Sequence, residues 1–353
     1  MLSWVLAAVL AFSPPAMEID PQVDLPAQVM VLPSALRARL QDEVLTGRPS
    51  QTTRLNRLLH LVFDKDGLGL IYQDDATESV DQIYATRTAN CLSFTLLFIA
   101  LAREAGLDAY PQEIRETLGW HQDDGIFYRV DHINAGVRIG RSEYLVDIAR
   151  DSVISLHKPE PVSDQRLLAH FYNNLAMQDL EQGRIAPALE LMRTALELDP
   201  GNAVNWSNAG VLYLRNGDEA AAEQAYTRAL ALEPANTSAL ANMANLAQRQ
   251  GDHTREAELR ERLERQQQTD PFFHFVQAEG YEQAGDYPHA IEHYERAIHL
   301  DSDEPRFYGA LAHAYELAGD NRHAIRALTH AAWLSDDASR ADYQSKVDAL
   351  RKR

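Results

Sequence analysis

Asn202-Ala203-Val204-Asn205-Trp206-Ser207-Asn208-Ala209-Gly210-Val211-Leu212-Tyr213-Leu214-Arg215-Asn216-Gly217, running on through Ala222, Tyr226 and Ala229 to Pro234, decides how the C-terminal half folds. Gly217 is one rung of a ladder, because Gly183, Gly217, Gly251, Gly285 and Gly319 recur every 34 residues without a slip. Ala188, Ala195 and Pro200 repeat the pattern before this stretch, and Tyr315, Ala324 and Ala331 repeat it at the far end. Small residues where two helices cross let them approach closely, and a glycine after each first helix supplies a left-handed turn. The spacing therefore predicts consecutive helix pairs.

The pattern resembles the tetratricopeptide repeat family, which shares this period. The resemblance implies an all-α solenoid of five repeats from about Ala169 to Asp336, with 337–353 as a capping helix. The third repeat is degenerate, with Glu256 where a small residue is expected. Solenoids of this kind offer a concave groove, so the implied partner is a protein or peptide. Asn174, Asn208 and Asn242 also stand 34 residues apart, on the first helix of successive repeats. A line of side-chain amides carries both donors and acceptors and can grip the backbone of an extended peptide. It is similar to the asparagine ladders of some peptide-binding superhelices of the family. The same residues can instead cap turns or bond neighbouring repeats, and the sequence leaves both readings open. The line stops where Val276 and Ala310 take the equivalent positions.

Upstream of the repeats, Leu36–Leu45 and Thr52–Phe63 have leucines at helical spacing, and residues 64–69 carry turn chemistry. The single cysteine, Cys91, follows Asn90 and opens an apolar run that Gly106 ends. Asn90 is a good N-cap and Gly106 a good stop, which puts Cys91 at the first helical position. There, unpaired N–H groups and the helix dipole favour thiolate over thiol. A lone cysteine is otherwise a small buried hydrophobe. Residues 109–114 read as a strand, 127–134 as a strand-like stretch, Gly140-Arg141-Ser142 as a turn and 143–148 as a second strand. A helix before an antiparallel hairpin is an α+β arrangement, with His132 and Asp147 on neighbouring strands.

Asn90-Cys91-Leu92-Ser93, the run Ala100–Leu107, Asp131-His132 and Tyr144–Asp147 together resemble the bacterial transglutaminase-like superfamily, with its papain-like arrangement. The resemblance spans roughly residues 50 to 150 and implies Cys91 as nucleophile, His132 as base and then acid, and Asp147 as the group orienting the imidazole. It also implies amide chemistry through a thioester. The Cys91 N–H would serve one side of an oxyanion hole, and Tyr84, Arg87 and Asn90 are candidates for the other. His121 is a rival base. A metal site from His121, Asp123, Asp124 and His132 matches no known ligand spacing, so neither metal nor cofactor is expected. Degenerate, non-catalytic members of the superfamily exist, so the competing expectation is a pure interaction scaffold.

The formal net charge of −19 over 353 residues argues against nucleic acid and anionic lipid as partners. One cysteine forms no intramolecular disulfide. Residues 1–12 form an apolar run too short to span a bilayer comfortably, followed by Ser13-Pro14-Pro15-Ala16. This reads as a signal peptide over 1–16, giving a periplasmic or secreted protein, or else as an uncleaved N-terminal membrane attachment. Export is expected with no integral membrane span. The organisation expected is that signal segment, an N-terminal segment 17–50, the α+β domain 51–160, the repeats 169–336 and the capping helix.

Overall fold

The computed structural model describes residues 24–114, 120–123, 126–129, 132–148, 159–335 and 337–352. The expected signal segment, Asp124 and Asp131 lie outside them.

Among the described residues the first helix is α1 (Ser34–Arg39), which runs into one π-helical turn at Leu40–Leu45. Next comes α2 (Gln51–Phe63), whose first turn is capped by the Ser50 hydroxyl accepting from the Thr53 N–H. A two-residue strand, β1 (Ile71–Tyr72), follows, then α3 (Val80–Thr86) and β2 (Thr88–Ala89), and β1 pairs with β2 in parallel. The central helix α4 (Cys91–Glu104) buries every residue from Leu92 to Ala102. A helix apolar all round belongs inside a core. It packs on β3 (Asp108–Ile114) and on β6 (His132–Ile139).

Between β3 and β6 the chain makes a separate antiparallel hairpin, β4 (Trp120–Asp123) with β5 (Ile126–Arg129). Here the structure corrects the sequence expectation, since the stretch 127–134 is shared between two sheets. Among the described residues β5 pairs only with β4, whereas β6 joins a four-stranded antiparallel sheet with β7 (Ser142–Val146), β3 and β8 (Glu160–Pro161), in the order β7-β6-β3-β8. Gly140, at φ 61°, turns β6 into β7.

Five helix pairs follow: α5 (Asp164–Glu181) with α6 (Ile185–Leu198), α7 (Ala203–Arg215) with α8 (Glu219–Leu232), and α9 (Thr237–Gln250) with α10 (His253–Gln268), then α11 (Pro271–Gln283) with α12 (Tyr287–Leu300), and α13 (Pro305–Leu317) with α14 (Asn321–Leu334). α15 (Asp337–Arg351) packs on α14 and closes the stack. The five ladder glycines have φ of 75°, 83°, 76°, 77° and 81°, the left-handed turn that a Cβ would strain. At the α7–α8 crossing, a Cβ on Gly210 would lie 2.4 Å from the ring of the buried Tyr226. That residue has to be glycine for the helices to meet.

One buried carboxylate joins the sheet to the solenoid. Glu113 of β3 accepts from Arg166 Nε at 2.8 Å, from Arg166 Nη2 at 3.1 Å and from His170 Nε2 at 3.0 Å. Arg166 also reaches Asp199 of the first repeat at 2.9 Å. Burial works against the charge on Glu113, but the hydrogen bonds and positive charge of His170 and Arg166 outweigh it and hold the carboxyl down at about 2.

Candidate functional site

Asn90 is the N-cap of α4, its Oδ1 accepting from the Ser93 N–H at 2.9 Å. Its Nδ2 donates to Thr77 Oγ1 at 2.9 Å. The Ser93 hydroxyl donates to the Ala76 carbonyl at 3.0 Å and accepts from the Glu78 N–H at 2.7 Å. Loop 74–78 is thus fastened to the first turn of α4, where Cys91 sits half-exposed. Gln178 of α5 donates to the same Thr77 hydroxyl at 3.0 Å and to the Asp75 carbonyl at 2.8 Å, so the solenoid also braces this loop.

From the other side, the Thr95 hydroxyl lies 2.8 Å from the Cys91 carbonyl and 3.2 Å from the Ile133 carbonyl of β6. This sets α4 against the strand that begins with His132. His132 Nε2 lies 2.5 Å from Asp147 Oδ2, and both side chains are buried. Cys91 lies near enough to the imidazole to favour its protonated form. With Nε2 committed to Asp147, the free ring nitrogen for the thiol is Nδ1. Burial works against protonating His132. The hydrogen bond to Asp147 and the interaction with Cys91, with the charges of both, overcome it and raise the imidazole to about 9.

The structure therefore brings Cys91, His132 and Asp147 together. Asp147 stands one residue past the end of β7, not within a strand. His121 lies on β4, in the other sheet. Among the described residues, no three His, Cys, Asp or Glu side chains converge as a metal would require.

Of the oxyanion candidates, Asn90 is corrected. Its buried amide oxygen is spent on the helix cap, and its two N–H donors go to Thr77 Oγ1 at 2.9 Å and the Asp74 carbonyl at 3.5 Å, which leaves no donor for a substrate. The Arg87 guanidinium stacks over the Tyr84 ring at 4.3 Å. A residue that sequence reasoning missed feels the charges of the site. Tyr72 of β1 has its phenol pushed upward by burial, by its hydrogen bond to Asp74 and by the negative charges of Cys91 and Asp147. No local motif announces Tyr72, because a two-residue parallel pairing with β2 carries it beside the thiol.

The asparagine line has a different setting from the one a free groove would give. Asn173 Nδ2 donates to Asn174 Oδ1 at 3.3 Å, and Asn208 Nδ2 donates to Asn173 Oδ1 at 2.9 Å. Asn208 and Asn242 are each only 2% exposed, and Asn242 is also engaged. Strand β5 packs against α7 and α9, the helices that carry them.

A family model for the tetratricopeptide domain of cytochrome c-type biogenesis protein H matches residues 160–307, less than half of the chain. Residues 160–307 form a tetratricopeptide repeat domain. Solved structures similar to this domain include MamA from Desulfovibrio magneticus RS-1, at 17% identity and a TM-score of 0.28, covering 54% of this chain and 97% of that one. Pseudomonas aeruginosa PilF is 18% identical with a TM-score of 0.29, covering 53% of this chain and 94% of its own. YrrB, a repeat protein with an unusual peptide-binding site, is 18% identical with a TM-score of 0.27, covering 50% and 92%. No curated protein matches the chain. Among the described residues, no helix is long and apolar enough to cross a membrane.

Proposed function

We propose that the α+β domain is a transglutaminase-like, papain-type thiol enzyme that hydrolyses an amide bond in a protein or peptide. In this reading the tetratricopeptide domain recruits the substrate or a partner. The supporting observation is that the His132 imidazole pairs with Asp147 through Nε2 and stands near enough to Cys91 to interact with it. A histidine raised to about 9 keeps its proton at neutral pH. Catalysis in this reading starts from Cys91 as thiolate beside the protonated ring. The thiolate adds to the amide carbonyl, the imidazolium protonates the leaving nitrogen, and the C–N bond breaks to give a thioester. Water, deprotonated by the now neutral His132, attacks the thioester and releases the acid and the thiol. The Cys91 N–H supplies one oxyanion donor.

Alkylation tests this reading. Iodoacetamide should label Cys91 at about pH 6, and His132→Ala should abolish that labelling. The imidazole should titrate by NMR near 9 and move down in Asp147→Asn. Its folded value lies above the unfolded one of about 6.5. The stability it contributes is therefore complete below about pH 6.5 and lost as pH rises through 9. A thiol reactive only above about pH 8 in the folded protein overturns catalysis.

The second reading is an interaction scaffold with an inert α+β domain, and the family match favours it because it falls within the repeats alone. The same labelling separates the two. The apolar run at 1–12 supports export to the periplasm or medium, with a mature N-terminus near Met17. Sequencing the N-terminus of the expressed protein checks this, and an intact Met1 on soluble cytosolic protein removes it.

A further inference from the structure

The face of the second and third repeats formed by α7 and α9 is both polar and covered. Asn205 and Asn208 lie three residues apart on α7, and Ser238 and Asn242 lie four apart on α9, so each pair shares a helix face. Asn205, Asn208 and Ser238 are buried, yet both side-chain polar atoms of Asn205, Oδ1 of Asn208 and Oγ of Ser238 have no hydrogen-bond partner. Buried polar atoms are normally paired, and leaving them unpaired is costly. What lies against these two helices is β5, the inner strand of a hairpin from the other domain. The covering strand thus takes the place of a ligand while these atoms of Asn205, Asn208 and Ser238 stay unpaired.

We propose that this floor of amides and hydroxyls is a seat for one extended peptide strand, held through its backbone. The chain's own β5 fills the seat in this structure, and a partner's extended segment binds by displacing it. This deepens the recruiting half of the proposed function and rests on that half alone. Beyond the third repeat the equivalent positions are Val276, 37% exposed, and Ala310. Neither side chain is an amide, so the seat ends where the asparagines end. Displacement has a second effect, because β5 ends at Arg129 and His132 opens β6 only three residues later. A partner strand in the seat therefore pulls on the strand that holds the imidazole.

The test uses the full chain carrying Cys91→Ser, so that neither readout depends on thiol chemistry. Trp120 pairs with Arg129, so the ends of the hairpin lie side by side and residues 120–129 can be replaced by Gly-Gly. The probe is a fluorescein-labelled synthetic peptide of sequence 119–130. The shortened chain should bind it at least about tenfold more tightly than the intact chain, whose tethered strand competes at millimolar effective concentration. Ser238→Arg in the shortened chain should abolish binding. Equal binding by both chains, or none by a shortened chain that melts like its parent, overturns the proposal. If the shortened chain does not fold, tryptic cleavage after Arg129 decides. Ser238→Arg in the full-length chain should accelerate it by about tenfold or more, as an undocked strand is open to protease. An unchanged rate overturns the proposal.

Discussion

The first three repeats and the last two share one period and one turn, and they live in different surroundings. On α7 and α9 nearly every residue of the first three turns is buried, polar ones included, whereas α11 buries only Phe272 and Ala278. The difference does not lie in the repeat itself. It comes from the α+β domain, which lays β5 over the first part of the inner face and grips the first repeat through Glu113. A repeat signature fixes how each helix meets its neighbours in the stack and leaves open what a second domain lays across them. The two parts should therefore respond differently to the same kind of injury.

The largest contrast should come from Glu113→Gln, which leaves Arg166 and His170 facing a neutral amide in a buried site. Loss of one partner of a buried pair costs about 3 kcal/mol or more. Calorimetry should show the α+β domain and first repeats melting earlier, with the last two repeats unmoved. Acid should mimic the substitution. Glu113 is lowered to about 2, so its contribution is intact above the ordinary carboxylate value of about 4.3 and disappears as pH falls toward 2. A single transition that shifts as a whole would erase the distinction between the two parts.

A smaller contrast comes from two glycines inside first helices. Gly210→Ala drives a methyl into the Tyr226 ring and should cost about 1–3 kcal/mol. Gly280→Ala meets nothing within 4 Å and should stabilise α11 by up to about 1 kcal/mol, through helix propensity alone. Urea denaturation of the two variants side by side measures both signs. Equal effects would mean that packing at the crossings is alike throughout.

The solenoid was legible in the sequence because each ladder glycine answers to a local backbone need, a positive φ after a helix. The start of α4 was legible for a similar reason, since Asn90 and Cys91 are neighbours and the cap is a three-residue event. His132 and Asp147 were found as residue types at hairpin spacing, although Asp147 lies beyond its strand. What stayed hidden depends on distant contacts. The split of 127–134 is set by the helices that β5 meets, and alternation along a strand does not name its sheet. Tyr72 owes its place to a parallel pairing across 17 residues, and Thr95 to a carbonyl of β6. Glu113 read as one more charge in a strand, and its partners stand more than 50 residues away.

The left-handed glycine turns also have a mechanical consequence. A stack held by nearest-neighbour contacts yields at its joints, as a spring does, and its compliance is the sum over those joints. Three of the five helix pairs are splinted, by the Glu113 grip at one end and by β5 across the next two. Bending of the whole molecule is then concentrated beyond Gly251, in the uncovered pairs and the α15 cap. Under a load applied to the last two pairs, the far end swings while the thiol site keeps its geometry.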